Sequence, residues 1–331
     1  MRPWGDHAPR ILLVVGVALL AVAGFLAVWL RHPTRTVVRT VTVTVPGRTT
    51  TTVPPATTAP PATTTPPTTT QPAPPPPPTQ VPMSWDNAGA ILVHATDVDP
   101  AWLGHEMRSA GFGWAAVFLG ENDGTSPPDP GWIARFRAAS GLPVGGWSVL
   151  AEQPAQDAAQ AAELIRDDDL AFYIADAEAA YGYTQGTTQS ATRLARSHLF
   201  VRAFRALEPD LPAALSSYCR PDEHDLDWAA WAGAGFAFLP QAYVNDFGQA
   251  VSPATCVRAA AGYFPPSQVH PTVGSYSGLR GFVSPERWAQ LLARAGTRGF
   301  SIYPAEAGMS DEDWQAFGQA IATLHIAHPV S

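Results

Sequence analysis

From residue 85 onward, short apolar runs alternate with longer stretches whose apolar positions recur at helical spacing. The runs at 91–96, 115–120, 143–149, 171–175, 213–218, 237–242, 269–275 and 299–303 predict strands. Between them, 100–110, 153–166, 191–207, 253–263 and 285–295 predict helices, and 311–325 predicts a last one. Several predicted helices open on a residue suited to capping: Asp99 before Pro100, Ser252 before Pro253, Ser284 before Pro285, and Ser310 before Asp311-Glu312. Eight such β–α units predict an α/β fold, a single (β/α)8 TIM barrel over residues 85–331. The alternative is a doubly wound open sheet, which would carry a glycine-rich first turn. Here that turn reads Ala95-Thr96-Asp97-Val98-Asp99.

The pattern changes upstream. Residues 11–30 are twenty apolar residues without a charge. That is enough to span a hydrocarbon core of roughly 30 Å, whereas a signal-peptide core runs about 7–15 residues. The expectation is a transmembrane signal anchor behind a short cytoplasmic segment, 1–10. The alternative is a cleaved signal peptide, with Ala21-Val22-Ala23 resembling a cleavage site. Arg2 and Arg10 precede the span and Arg31, Arg35 and Arg39 follow it, so arginine counting alone favours a cytoplasmic C-terminus. The following segment argues the other way. Residues 31–84 are dominated by Thr, Pro, Val and Ala, and the prolines of 74–78 run unbroken. Such a disordered linker buries no core, stays extended, and is typical of extracytoplasmic stalks. In polyproline II it could reach on the order of 100 Å. The expected location is a bacterial cell membrane, single-pass, with the folded domain outside.

Charge narrows the partners. The 331-residue chain has a formal net charge of −8 and no lysine. Residues 85–331 hold 27 acids and 14 arginines, a net of −13, which argues against nucleic acid and against docking on anionic lipid. Cys219 and Cys256 are the only cysteines; in an exported domain they could form one disulfide, although sequence does not place them together.

Candidate chemistry lies where the predicted strands end. Tyr173-Ile174-Ala175-Asp176-Ala177-Glu178 closes strand 4 with two carboxylates at i, i+2, which share one face of a strand. The other ends supply Asp97; Glu121-Asn122-Asp123; Trp147 and Ser148; Ser216, Ser217 and Tyr218; Gln241, Tyr243, Asn245 and Asp246; Tyr276; and Tyr303 with Glu306. Acids and flat rings at one rim fit a sugar: rings pack on its faces, and carboxylates and amides bind its hydroxyls. Glycoside hydrolysis also needs a protonated acid and a second carboxylate. Asp97, Glu121, Asp176 and Glu306 could instead bind a hard cation. No cofactor or resident metal is expected, and no His pair on adjacent strand ends points to zinc. Each residue also has a plainer role. Asp97 could simply start the first helix, Glu306 could precede a turn at Gly308, and rim rings could cap barrel layers. His94 reads as a packed histidine inside strand 1, and His224 as a loop hydrogen-bonder.

The domain resembles the glycoside hydrolase-like barrels, in particular family 25 muramidases and less characterised bacterial barrels near them. The matching pieces are Asp97, the Tyr173–Glu178 motif, Leu215-Ser216-Ser217-Tyr218 followed by His224 and Trp228, and Pro240-Gln241-Ala242-Tyr243. The last also resembles the strand-6 Gln-x-Tyr of some family 18 chitinases, whose fuller strand-4 pattern is broken here by Ala171 and Ile174. The resemblance implies Glu178 as general acid and Asp176 as its helper or the holder of a 2-acetamido group. Asp97 and Glu306 would be the remaining carboxylates; the family 25 pattern has Asp where Glu306 stands. Tyr218, Gln241 and Tyr243 would position the sugar, with Trp147, Tyr276, Tyr303 and Glu121 lining the groove. The implied partner is a cell-envelope polysaccharide such as peptidoglycan. The alternatives are a barrel that binds glycan without turnover and a structural surface domain.

Overall fold

The computed structural model describes residues 79–120, 127–178, 181, 191–224, 226–305 and 309–324. The expected anchor at 11–30 and most of the linker lie outside them, as do Glu121 and Glu306. Among the described residues no helix is long and apolar enough to cross a membrane.

Eight parallel strands close into a barrel in sequence order. They are β1 Ala88–Leu92, β2 Trp114–Phe118, β3 Val144–Val149, β4 Tyr173–Asp176, β5 Ala213–Tyr218, β6 Ala237–Gln241, β7 Thr272–Gly274 and β8 Phe300–Tyr303. β1 closes the ring on β8 through Ala88↔Phe300, Gly89↔Ser301 and Ala90↔Ile302. The surrounding helices are α1 Pro100–Ser109, α2 Pro130–Ser140, α3 Pro154–Asp167, α4 Ala191–Leu207, α5 Trp228–Gly233, the short α6 Val244–Phe247, α7 Pro253–Ala260, α8 Pro285–Ala295 and α9 Asp311–Leu324. Asp99 and Asp129 cap α1 and α2 by accepting the Trp102 and Trp132 amides at 2.8 Å, each with proline next in the chain. Ser252 opens α7 without a side-chain bond to the helix backbone; its hydroxyl pairs with Thr255 at 2.9 Å instead.

Strand alternation divides the core in two. Leu92, Val117, Leu215, Phe238, Val273 and Ile302 point outward and pack with helix residues such as Leu103, Phe136, Phe204, Trp231 and Trp288. The inward set is Ile91, Trp114, Ala116, Phe118, Trp147, Phe172, Ile174, Ala214, Ala237 and Leu239. Near the N-terminal end, Trp85, Trp114 and Phe172 meet edge-on with ring centres 5.2–5.4 Å apart and plug the barrel. Glycine on the neighbouring strands makes this possible: a Cβ at Gly89 would lie inside the Trp114 ring, and one at Gly145 inside the Phe172 ring. The core is thus filled by side chains, and any chemistry is pushed to an end of the barrel.

Two expectations change. β1 begins three residues earlier than its apolar pattern predicts, because Ala88–Ala90 are needed to pair with β8. His94 therefore lies beyond the strand and is exposed, not packed in it. The cysteines do pair: Cys219, just after β5, and Cys256 in α7 form a disulfide with Cα atoms 4.9 Å apart, buried with Ala242 and Val251.

Candidate active site

Asp176 is the last residue of β4 and pairs in register with Ser216 of β5. Tyr218, two residues on, pairs with Gln241 at the end of β6. The inward side chains of three successive strands therefore meet at the C-terminal mouth. The Gln241 amide donates to Glu178 Oε1 at 2.8 Å and to Asp176 Oδ1 at 3.1 Å, with Ser216 Oγ at 3.4 Å. An amide nitrogen carries two protons, so the two carboxyl groups take the two good contacts and Ser216 the weakest.

The two acids differ in setting. Asp176 is 8% exposed; Glu178, beyond the strand, is open to solvent. Burial pushes the Asp176 carboxyl well above the usual range, and the neighbouring Glu178 charge pushes it further. Hydrogen bonds from Ser216 and Gln241 pull the other way and are outweighed. The buried Asp176 carboxyl is therefore the one biased towards its protonated form.

Rings enclose the pair on the β8–β7–β6 side. Tyr243, 9% exposed, stacks on Tyr303 with centres 5.8 Å apart, and Tyr276 stands edge-on to both. Trp147 continues the row against Tyr303 at 5.9 Å and contacts Phe118 at 4.6 Å. Trp147 is buried, and its indole N–H donates to the Leu92 carbonyl at 2.8 Å, so it forms the floor more than an open platform. Burial raises the Tyr243 hydroxyl well above its usual range, with Tyr303, Tyr276 and both carboxylates adding to the effect. Tyr276 donates to Asp246, whose other oxygen accepts the Leu279 amide at 2.8 Å and so ties the loop after β7 to α6. Across the mouth, Tyr218 stacks on His224 at 5.1 Å and meets the edge of Phe247. His224 is buried, 3.4 Å from the Ser217 hydroxyl.

The expected residues thus fall into three groups. Asp176, Glu178 and Gln241 share one hydrogen-bonded cluster, and Tyr243, Tyr276, Tyr303, Trp147 and Tyr218 line its surroundings. Asp97 stands apart: it lies exposed on a 3-10 turn beyond β1, and no described hydrogen bond links it to the pair. Glu121 and Glu306 lie outside the described residues. Among the described residues no three His, Cys, Asp or Glu side chains converge as a metal site would require. Phe118 is an addition. Its signal is the two-residue period Trp114, Ala116, Phe118, which places it on the inward face.

No protein-family model and no curated protein matches the sequence. Solved structures do match in fold. The C-terminal domain of a protein assigned as a chitinase from Desulfitobacterium hafniense DCB-2 superposes with a TM-score of 0.59 at 9% identity. That match covers 74% of this chain and 100% of that one. A protein assigned as chitinase A from Streptomyces coelicolor gives 0.51 at 14% identity, covering 74% and 100%. The likeness is one of fold: this chain has a barrel similar to theirs.

Proposed function

We propose that the protein is a membrane-anchored, extracytoplasmic glycoside hydrolase that cleaves O-glycosidic bonds of a cell-envelope polysaccharide, with peptidoglycan the first substrate to test. The observation that carries this reading is the single Gln241 amide held by two carboxyl groups at the C-terminal mouth of a closed barrel, one buried and biased towards protonation, the other open to a ligand. Glu178 is the general acid. It takes over the proton held on Asp176 and gives it to the glycosidic oxygen as the bond from that oxygen to the anomeric carbon breaks. Asp176, beside it, stores a proton and orients a 2-acetamido group on the sugar. The carbonyl oxygen of that group attacks the anomeric carbon as the bond breaks, and water then displaces it there, its proton passing to Glu178; this substrate-assisted route needs no second enzymic nucleophile. Such a route is in keeping with Asp97 standing apart from the pair. The tyrosine wall positions the ring. The uncharged span at 11–30 and the Thr/Pro-rich stretch after it support anchoring and display outside the membrane.

Reducing-end release from purified peptidoglycan and from N-acetylglucosamine oligomers, by the full chain and by Glu178→Gln, tests this. Loss of the acid should lower kcat about 10²–10⁴-fold. Equal activity in both proteins would remove Glu178 from the mechanism. A second reading, a barrel that binds glycan without turnover, is favoured by the lack of any third described carboxylate in contact with Gln241. It predicts no product from either protein and retained glycan binding in both.

A further inference from the structure

The barrel's N-terminal face, opposite the carboxylates, contains a cavity of about 350 Å³. Its wall comes from four strand entrances: Trp85 and Asp86 before β1, Pro212 before β5, Ala237 at the start of β6, and Gln268 and His270 before β7. Two acceptors there are unmet. His270 is 2% exposed, yet its Nδ1 has no partner; the buried Oε1 of Gln268 has none either. The Ser267 carbonyl beside the His270 ring favours a proton on it. With the proton of the neutral ring assigned to Nε2, the buried and unpartnered Nδ1 presents a lone pair. Burial drives the His270 pKa down to about 4, so the ring is neutral near physiological pH. Asp86 at the rim is offset by Arg298 at 3.7 Å, which leaves the site rich in acceptors but with little net charge. Met83, Pro212, Ala237 and the Trp85 ring supply apolar wall.

Neutral acceptors beside an apolar wall match a ligand with several hydroxyl donors and no charge. A bare ammonium would face the neighbouring Arg298, and an anion would face acceptors that repel it. We propose that this cavity is a second binding site, for a small neutral polyhydroxylated ligand such as a sugar unit, which donates hydrogen bonds to His270 Nδ1 and Gln268 Oε1. Small rotations of the two side chains admit the ligand hydroxyls. The site is independent of the reading of the mouth: its residues lie at the other end of the barrel, beyond the plug of Trp114 and Phe172.

The test is calorimetric titration of the detergent-solubilised full chain with D-glucose, N-acetylglucosamine and the N-acetylglucosamine trimer. The monosaccharides stand for a free sugar and the trimer for a glycan end. The proteins compared are the wild type, His270→Phe, Ala237→Leu and the mouth variant Tyr243→Ala. The expected result is saturable binding that weakens at least tenfold in His270→Phe and persists in Tyr243→Ala. Ala237→Leu fills the cavity from a different wall; it should weaken binding alike, and it stands in if His270→Phe does not fold by circular dichroism. No saturable binding of any of the three sugars would overturn the proposal. So would binding lost in Tyr243→Ala and unchanged in the correctly folded cavity variants.

Discussion

His270 links the fold to pH in a way that can be measured. Its ring is buried at the barrel's N-terminal end. Its pKa falls from 6.5 to about 4 in all: desolvation is the largest cause and the Arg298 charge adds to it, while Asp86 and the Ser267 carbonyl oppose the shift without cancelling it. A histidine depressed in the folded state makes no difference to stability well above pH 6.5, where it is neutral in both states. As pH falls through the unfolded value, the unfolded chain takes up a proton that the folded chain refuses, so stability falls with pH until the folded value is reached. With 6.5 unfolded and about 4 folded, linkage gives a loss of about 2 kcal/mol between about pH 7.5 and about pH 5, approaching about 3 kcal/mol near pH 4. Asp176 works in the opposite sense. Its raised carboxyl adds stability at low pH that is lost as pH rises above the unfolded value, so a bare pH profile mixes the two. The difference between wild type and His270→Asn separates them. Urea unfolding followed by tryptophan fluorescence at both pH values should show the variant losing about 2 kcal/mol less on acidification. Parallel losses in the two proteins would mean that His270 is already charged, or exposed, in the folded state.

Two further outcomes follow from the same packing. The Cys219–Cys256 bridge closes a sequence separation of 37, so in the chain-entropy account its reduction should cost about 4 kcal/mol, seen as a lower urea midpoint with dithiothreitol. An unchanged midpoint would mean that the loop is equally constrained without the bond. Gly89→Ala places a methyl inside the Trp114 ring and should destabilise the barrel by about 1–3 kcal/mol or prevent folding, whereas Gly262→Ala, with nothing near its Cβ, should be close to neutral; equal midpoints for the two variants would refute the plug.

The barrel was legible because its signals are local. β5, α4 and α8 run over the spans their patterns predict, since β-branched or apolar runs, prolines at first helical positions and capping residues act within a few residues of one another. β1 was less legible. Ala88-Gly89-Ala90 has little strand character of its own and becomes strand only because β8 offers it partners. The same displacement moved Asp97 from an expected strand end to an exposed turn, away from the carboxylate pair.

The sequence by itself determined that two carboxylates stand two residues apart at the end of an apolar run, a spacing that shares one face wherever the chain is extended, although β4 itself ends at Asp176. It also determined that aromatic residues crowd the strand ends. Only the closed barrel decided what that face meets. The registers Asp176↔Ser216 and Tyr218↔Gln241 bring one amide to two carboxyl groups that lie 63 and 65 residues from it in the chain. Burial then separates two chemically similar acids into one biased towards holding a proton and one open to solvent. The cavity around His270 was invisible for the same reason: it is made from four strand entrances distant in sequence, and an unmet acceptor exists only once folding has removed the water that would satisfy it.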